Sequence, residues 1–596
     1  MALCTVLWYY NNITLVRYFS KYSGGKMLRE AIYHKQYSEY AYPLDESTLL
    51  IRIRTRKNEI TTCILYYEEK YDSSIKGKIL MYKAACDELF DYFEAKICAP
   101  IKRFKYMFYL EDAYEALWFN QNGFHKHKPA WGHFSYSCIC PKDIVKGVEW
   151  FEDTVIYQIF PDRFKKIDVG NVFGHGFYGG NIKGLISEFD YIKSLGVKSI
   201  YLNPVFKAKS YHRYDTIDYY QIDPILGNKE QIKDFIDLCH ASNIKVIFDA
   251  VLNHTGSDFF AFRDVVENGP KSRYKDWFYV HSFPVLHSPK PNYECFSYFS
   301  GMPKLNTANP EVVDYLTDVL KYWTNELDID GWRFDVADEM DRSFIRHIRR
   351  ELKTVKKDIV LIGEIFDEAS SWLGGDQFDS VINYQLKNLI NDLFAYRSID
   401  AELFVQRVGG YLMNLKTGVL NNMVNVIGTH DTARFLTLCG GCEKRFELAV
   451  VFQFTFSGVP MIYYGDEIGM KGGDDPDCRK PMIWDKSKWN MKFLGLYRFL
   501  IRLREEYEAL RKGSFVSLKV EEGKGVLAFG RKTKKEFLII IINTNHVKTD
   551  LKVRIDGINS EKSLALELKS KEIANLDDGL LKDTLKSYQW KIYKLE

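Results

Sequence analysis

From residue 155 to residue 465 the chain repeats one pattern. Short apolar runs recur at "VIYQIF" (155–160), "KSIYLNP" (198–204), "IKVIFDAV" (244–251), "GWRFDV" (331–336), "IVLIGEIF" (359–366), "DSVIN" (379–383), "MVNVIGT" (423–429) and "VPMIYYG" (459–465). Between them lie amphipathic helix patterns such as "IKGLISEFDYIKSLG" and "KEQIKDFIDLCHASN". Strands separated by helices pair in parallel, and eight of them predict a closed (β/α)8 TIM barrel over 150–510. The rhythm breaks after the third strand. Residues 255–309 are long, aromatic and Pro-bearing, and read as an inserted subdomain.

The flanks have another character. Residues 27–140 contain "TLLIRIRTR" and "TTCILYYEEKY", with β-branched and aromatic residues in partial alternation, and "NQNG" marks a turn. An N-terminal β-sandwich is expected there. Residues 513–596 return to short strands such as "FLIIIINTN", which predicts a C-terminal all-β domain, read as a second sandwich. The fold class is thus multidomain α/β. Residues 1–26 show no repeat, no domain pattern and no signal-peptide layout. They are expected to be a non-native or disordered extension, with Met27 as the natural start.

Several function classes drop out. With 82 basic and 79 acidic residues and no basic block, nothing asks for a nucleic acid. No apolar run is long enough to span a bilayer. The 11 cysteines are odd in number and scattered, which suits a reducing cytoplasm. Cys439 and Cys442 form a lone C-x-x-C without a second ligand pair, so free thiols are expected rather than zinc.

In such barrels chemistry sits at the C-terminal ends of the strands. The third strand ends with Asp249, Asn253 and His254, the fourth with Arg333 and Asp335, the fifth with Glu364, and the seventh with His430 and Asp431. His212, Tyr214 and Asp215 follow the second. Singly, each has a structural reading: a strand-end Asp caps a helix, and a lone His is a hydrogen-bonded core residue. Their convergence on one rim is harder to explain that way. In "GWRFDV" the side chains alternate, so Arg333 and Asp335 point one way and Trp332, Phe334 and Val336 the other.

Paired carboxylates without metal-ligand spacing suggest glycosidic-bond chemistry, with one carboxylate as nucleophile and one carboxylic acid protonating the leaving oxygen. Arg333 beside Asp335 is expected to keep that carboxylate ionised as the nucleophile. Glu364, with no base near it in sequence and with Ile362, Ile365 and Phe366 around it, is expected to be the general acid. Asp431 is expected to grip hydroxyls and distort the ring, His254 and His430 to donate to hydroxyls, and Tyr214 to stack beneath a sugar.

The motifs "DAVLNH", "GWRFDVADE", "GEI" and "GTHDTAR", in this order, resemble those of the α-amylase family of glycoside hydrolases. "MPKLN" (302–306) is similar to a hallmark of its neopullulanase, cyclomaltodextrinase and maltogenic amylase subgroup. The resemblance spans about 27–596. It implies a retaining hydrolase of α-linked glucans, cutting α-1,4 and some α-1,6 bonds of cyclodextrins, pullulan and maltodextrins. Asp335 carries over as nucleophile, Glu364 as acid/base and Asp431 as third carboxylate, with Tyr214, Asp249, His254, Arg333, Glu339 and His430 binding substrate. The resemblance also implies a starch-binding-type N-terminal domain and a homodimer in which that domain covers a partner's barrel mouth. The alternatives are a transglycosylase on the same scaffold and a non-catalytic barrel relative, such as the heavy chain of an amino-acid transporter. The latter loses catalytic carboxylates and carries a membrane helix.

Three departures stand out. Phe366 and Asp367 follow "GEI" where the subgroup often has Trp and His, on the acceptor side. "VADE" replaces "VANE", which puts Asp338 beside Glu339. Calcium, bound by a loop in relatives, is a candidate ion, but "GGD" is here Gly179-Gly180-Asn181 and the preceding loop is short. One carboxylate fewer weakens a hard-cation site, so no metal and no other cofactor is expected to be required.

Overall fold

The computed structural model describes residues 26–168, 176–521, 523–555 and 562–596. The expected extension lies outside the described residues except for Lys26. The chain divides into two compact units: Met1–Lys146 with Glu402–Leu420, and Gly147–Ala401 with Asn421–Glu596.

The larger unit holds the barrel. Its strands are β1 (Ile156–Ile159), β2 (Ser199–Leu202), β3 (Lys245–Ala250), β4 (Gly331–Phe334), β5 (Val360–Gly363), β6 (Ser380–Val381), β7 (Val424–Asn425) and β8 (Val459–Tyr463). They pair in parallel in the order β6-β5-β4-β3-β2-β1-β8-β7. A parallel bridge from Ile382 to Val424 closes the ring. Tyr201, Ile247, Val360, Ile362, Val424, Val459 and Met461 share its core. All eight strands fall inside the runs read from the sequence.

The helices form where apolar spacing and caps agree. Over Arg342–Val355, Phe344, Ile345, Ile348 and Leu352 make the buried stripe, and the Asp341 carboxylate accepts from the Ser343 and Phe344 amides. Lys229–Ala241 opens with a reciprocal Asn228/Gln231 capping box. Alternation fails once. Between β5 and β6 there is only a 3-10 turn, Ser370–Trp372, because "EASSWLGGDQ" has no helical apolar period and two adjacent glycines. The insertion is present, with helix Phe260–Asn268 and three 3-10 turns. Its "MPKLN" segment returns to the end of β3, where the Leu305 amide donates to Asn253 O at 2.9 Å.

The tail forms one continuous nine-stranded antiparallel sheet instead of two separate sheets. Its first strand, Ser514–Ser517, and its last, Lys519–Val520, are chain neighbours, so the sheet curls back around Ile539, Ile541, Leu551, Val553, Leu581 and Leu585.

The smaller unit has two antiparallel sheets, one built on Thr48–Arg56 and Phe90–Cys98, the other on Thr62–Glu69 and Phe104–Glu111. Leu49, Ile51, Ile53, Leu65, Phe93, Ile97, Phe104 and Phe108 fill the space between them. Met27 is buried, and its amide donates to Asp112 Oδ2 at 2.5 Å. The boundaries expected from sequence need one change, because Glu402–Leu420 lies with this unit although it falls between β6 and β7. Arg52, buried against Glu94 at 2.6 Å, donates to Met413 O, and Tyr42 OH lies 2.8 Å from Thr417 Oγ1. A Cβ at Gly409 would lie 2.3 Å from Cys86 O, so only glycine permits this approach.

Candidate active site

Alternation along β4 answers why an Arg and an Asp share one face. Trp332 points outward and donates to Thr324 Oγ1 on helix Pro310–Leu327 at 3.1 Å. Arg333 points inward and gathers three carboxylates. Its Nη1 donates to Asp335 Oδ1 at 2.8 Å and to Asp249 Oδ1 at 2.9 Å, and its Nη2 pairs with Glu364 Oε1. The ladder sets this up, since Asp249 on β3 is the register partner of Arg333 and Glu364 directly follows β5. After Asp335 the backbone turns sharply at Val336, whose φ of 46° is strained for a β-branched residue. That turn aims the Val336 amide at the other Glu364 oxygen, 3.0 Å away.

This geometry corrects two expectations. Glu364 does not lack a base, because Arg333 reaches it across the strands. Nor does Arg333 hold Asp335 in the ordinary ionised range. Burial raises the Asp335 carboxyl well above its usual value, Arg333 opposes this, and the charges of Glu364 and Asp249 add to the rise. Burial raises Glu364 as well, with Arg333 opposing and the charge of Asp431 adding to the rise. One guanidinium cannot neutralise three buried carboxylates, and this shortage of positive charge favours protonation within the cluster.

The other predicted residues fall around this cluster in different roles. Asp249 was expected to contact substrate, but its side chain is fully buried beneath the site. It accepts from Arg333, from Tyr201 OH at 2.5 Å and from Tyr214 OH at 2.9 Å, so it positions Arg333. Tyr214 is nearly buried, its ring stacked on His430 at 5.4 Å and 5°. Gln158 Nε2 donates to His430 Nδ1 at 2.9 Å, which leaves His430 Nε2 as the protonated nitrogen, 3.0 Å from Asp431 Oδ2. Burial, then Arg479 and Arg333, hold His430 well below the usual histidine range, so the ring is neutral. His254 is likewise neutral, pushed by burial to about 3, and donates from Nε2 to Tyr214 O at 3.1 Å. It lies 4.0 Å from Asp335 Oδ2. Asp431 keeps 31% of its side chain exposed, open to a ligand. Glu339, on the rim, pairs with Lys304 of "MPKLN" at 3.1 Å. His212 and Asp215 lie behind Tyr214, each bonded to Ser210 Oγ.

Sequence reasoning missed Tyr201, Gln158, Asn203 and Arg479. Asn203 Nδ2 donates to Tyr214 OH at 2.9 Å. Arg479 Nη2 pairs with Asp431 Oδ1 at 2.9 Å, and its Nε donates to His430 O at 2.8 Å. Gln158 and Asn203 lie at the C-terminal ends of β1 and β2, and that placement was their one available signal.

The alpha amylase catalytic domain model matches residues 158–512, more than half of the chain. The chain belongs to the α-amylase family. It is therefore a glycoside hydrolase, and its N-terminal unit matches the alpha amylase N-terminal ig-like domain over 27–140. This α-amylase-family chain is 46% identical to a cyclomaltodextrinase of Thermoanaerobacter pseudethanolicus (strain ATCC 33223 / 39E), over 87% of this chain and 93% of that one. It is 40% identical to neopullulanase 2 of Thermoactinomyces vulgaris, over 94% and 99%. A solved cyclomaltodextrinase structure superposes with a TM-score of 0.90 at 37% identity, over 95% of this chain and all of that one.

For an α-amylase-family chain a calcium ion must be tested against the residues present. Asn181 does not offer its amide oxygen freely. Its Oδ1 accepts from the Gly184 amide at 2.9 Å, capping helix Ile182–Ser187, and its Nδ2 donates to Ile167 O at 2.7 Å. Among the described residues no group of three His, Cys, Asp or Glu side chains is placed to hold a metal ion. Residues 169–175, in the loop before it, lie outside the described residues. Among the described residues, no helix is long and apolar enough to cross a membrane.

Proposed function

We propose that this chain is a retaining hydrolase of α-glucans, cleaving α-1,4 and some α-1,6 bonds of cyclodextrins, pullulan and maltodextrins. The observation that carries this is Asp335 and Glu364, at the ends of adjacent strands, bound to one guanidinium. When a glycosidic oxygen replaces Arg333 against Glu364, that carboxyl loses the cation opposing its protonation and is held in the acid form. Glu364 then protonates the leaving oxygen as Asp335 attacks the anomeric carbon, giving a glycosyl-enzyme. In the second step Glu364 takes a proton from water, the water oxygen displaces Asp335, and the acid is restored. Asp431 faces the sugar hydroxyls, His430 Nε2–H bonds Tyr214 OH at 2.5 Å beside it, and Glu339 lies on the rim. The names of the relatives support the substrate class. Carboxylates of a retaining pair stand about 5–5.5 Å apart, so the first product should be the α-anomer by proton NMR. Prompt β-anomer would sink this reading, and product chromatography on the three substrates ranks them.

A transglycosylase reading draws on Phe366, 49% exposed and stacked on Tyr384 at 4.0 Å. A flat aromatic surface two residues from Glu364 can hold a sugar acceptor in place of water. Product analysis at high maltose concentration separates the two. We further propose that the enzyme works in the cytoplasm, which the ten free cysteines among the described residues support, and without a metal. It should be a homodimer, as the resemblance implies, and sedimentation at micromolar concentration should give twice the chain mass. A monomer there would contradict it.

A further inference from the structure

The "CGGC" segment at 439–442 takes no part in the chemistry above, yet it is built as a reactive pair. Cys439 ends the short helix Phe435–Leu438, and Cys442 immediately precedes helix Glu443–Thr455. Gly440 and Gly441 between them have φ of 62° and 77°, left-handed values that glycine alone adopts freely. The Cys442 amide donates to Cys439 O at 3.2 Å and closes a tight turn. Such a turn holds its end Cα atoms within about 7 Å, and a disulfide spans about 4.4–6.8 Å. The turn therefore brings the two Cα atoms close to the span of a disulfide.

The two thiols are made unequal. Cys442 is partly exposed. Burial works to raise its thiol, but the Arg445 amide, the Arg445 guanidinium and the Lys444 amide at the helix start outweigh this and lower it. Cys439 is fully buried, and burial pushes its thiol up to about 12. Arg445 is held in place for this task. Its Nη1 donates to Ala395 O at 2.7 Å and to Phe394 O at 3.1 Å, and its Nη2 donates to Cys439 O. One partly exposed, acidified thiol three residues from one buried, protonated thiol is the division of labour of a thiol–disulfide exchange pair.

We propose that Cys439 and Cys442 form a redox-active dithiol that exchanges with small-molecule disulfides of the glutathione type, Cys442 attacking and Cys439 resolving. In the first step the Cys442 sulfur bonds to one sulfur of the small disulfide, whose S–S bond breaks and releases a thiolate. In the second, Cys439 gives up its proton to that thiolate and its sulfur displaces the remaining half, a second thiolate that takes up the proton Cys442 released on ionising. The chain loses two hydrogens, and one small disulfide becomes two thiols. A bond across this turn would fasten the end of helix Phe435–Leu438 to the start of helix Glu443–Thr455. Helix Phe435–Leu438 begins four residues after Asp431.

The test uses the full-length reduced chain and oxidised glutathione. After incubation near neutral pH and trapping of free thiols with N-ethylmaleimide, peptide mapping should find Cys439 joined to Cys442. Cys439→Ser should instead accumulate a glutathione adduct on Cys442, and Cys442→Ser should leave Cys439 reduced. In the unaltered chain, the pH dependence of iodoacetamide labelling at Cys442 should have its midpoint below the ordinary thiol value of about 8.5. The proposal is overturned if Cys439 and Cys442 stay reduced while the exposed Cys98, Cys138 and Cys140 react, or if the labelling midpoint at Cys442 is at or above the ordinary value. Both of those measurements use the native sequence and need no variant to fold.

Discussion

Strand β4 carries a buried carboxylate at each end, and the two are treated in opposite ways. Asp330, just before the strand, accepts from Lys245 Nζ at 2.8 Å, from Lys356 Nζ at 2.9 Å and from the Val246 amide at 2.9 Å, and lies 2.8 Å from His240 Nε2. Burial works to raise its carboxyl, but hydrogen bonds from His240, Lys245 and Lys356 outweigh that and hold it well below the usual carboxylate range. Asp335, five residues later, shares one cation with two other carboxylates and is raised. The end with surplus cations keeps its carboxylate charged, and the end with surplus carboxylates favours protonation. A barrel can separate stability from chemistry this way because its two faces are a strand length apart.

Removing the surplus at the reactive end should have the largest effect. Asp335→Asn and Glu364→Gln should each lower kcat/KM by at least about 10³-fold, since a covalent or proton-transfer step is lost. Neither should lower Tm, because each relieves crowding of buried charge. A clear fall in Tm for either variant would break the contrast between the two ends.

Asp330→Asn should do the reverse. It takes Lys245's carboxylate and one of the two that Lys356 holds, the other being Asp328, and should lower Tm measurably while kcat stays within about twofold. The pH dependences should also run in opposite directions. The folded value of Asp330 lies below the unfolded value of about 4, so its stabilisation is complete above that pH and is lost as pH falls through the folded value. Asp335 and Glu364 lie above their unfolded values of about 4, so the fold binds an extra proton and loses stability as pH rises through the folded values. Thermal melts across pH should therefore flatten on the acid side for Asp330→Asn and on the neutral side for Asp335→Asn.

The smallest effect should come from EDTA, which should leave activity unchanged. Arg333 supplies the cation at the centre of the carboxylate cluster, and the Asn181 amide already caps a helix. Loss of activity restored by calcium would overturn this.

The strands, the insertion and the three carboxylates were legible because apolar runs and strand-end residues follow chain order. What crosses the sheet was not. The reach of Arg333 to Glu364 depends on the stagger of β4 against β5, and no spacing within either strand encodes it. Tyr201 and Gln158 were hidden inside apolar strands, where a tyrosine or glutamine reads as filler. The acidity of Asp335 could not be judged from one neighbour, since burial and two further carboxylates decide it. The missing helix between β5 and β6 was visible in principle, in two adjacent glycines and the lack of a helical period.

The packing of Glu402–Leu420 with the N-terminal unit has a consequence for anyone cutting or grafting this chain. Sequence boundaries invite a cut near residue 146, as if the first domain could be unplugged. Such a cut would strip the surface from helix Ala401–Met413, where Gly409 meets the Cys86 carbonyl and Met413 O accepts a hydrogen bond from Arg52. The inheritable module is discontinuous. A transplanted N-terminal domain should carry 402–420 with it, and a barrel left behind needs a new loop between β6 and β7.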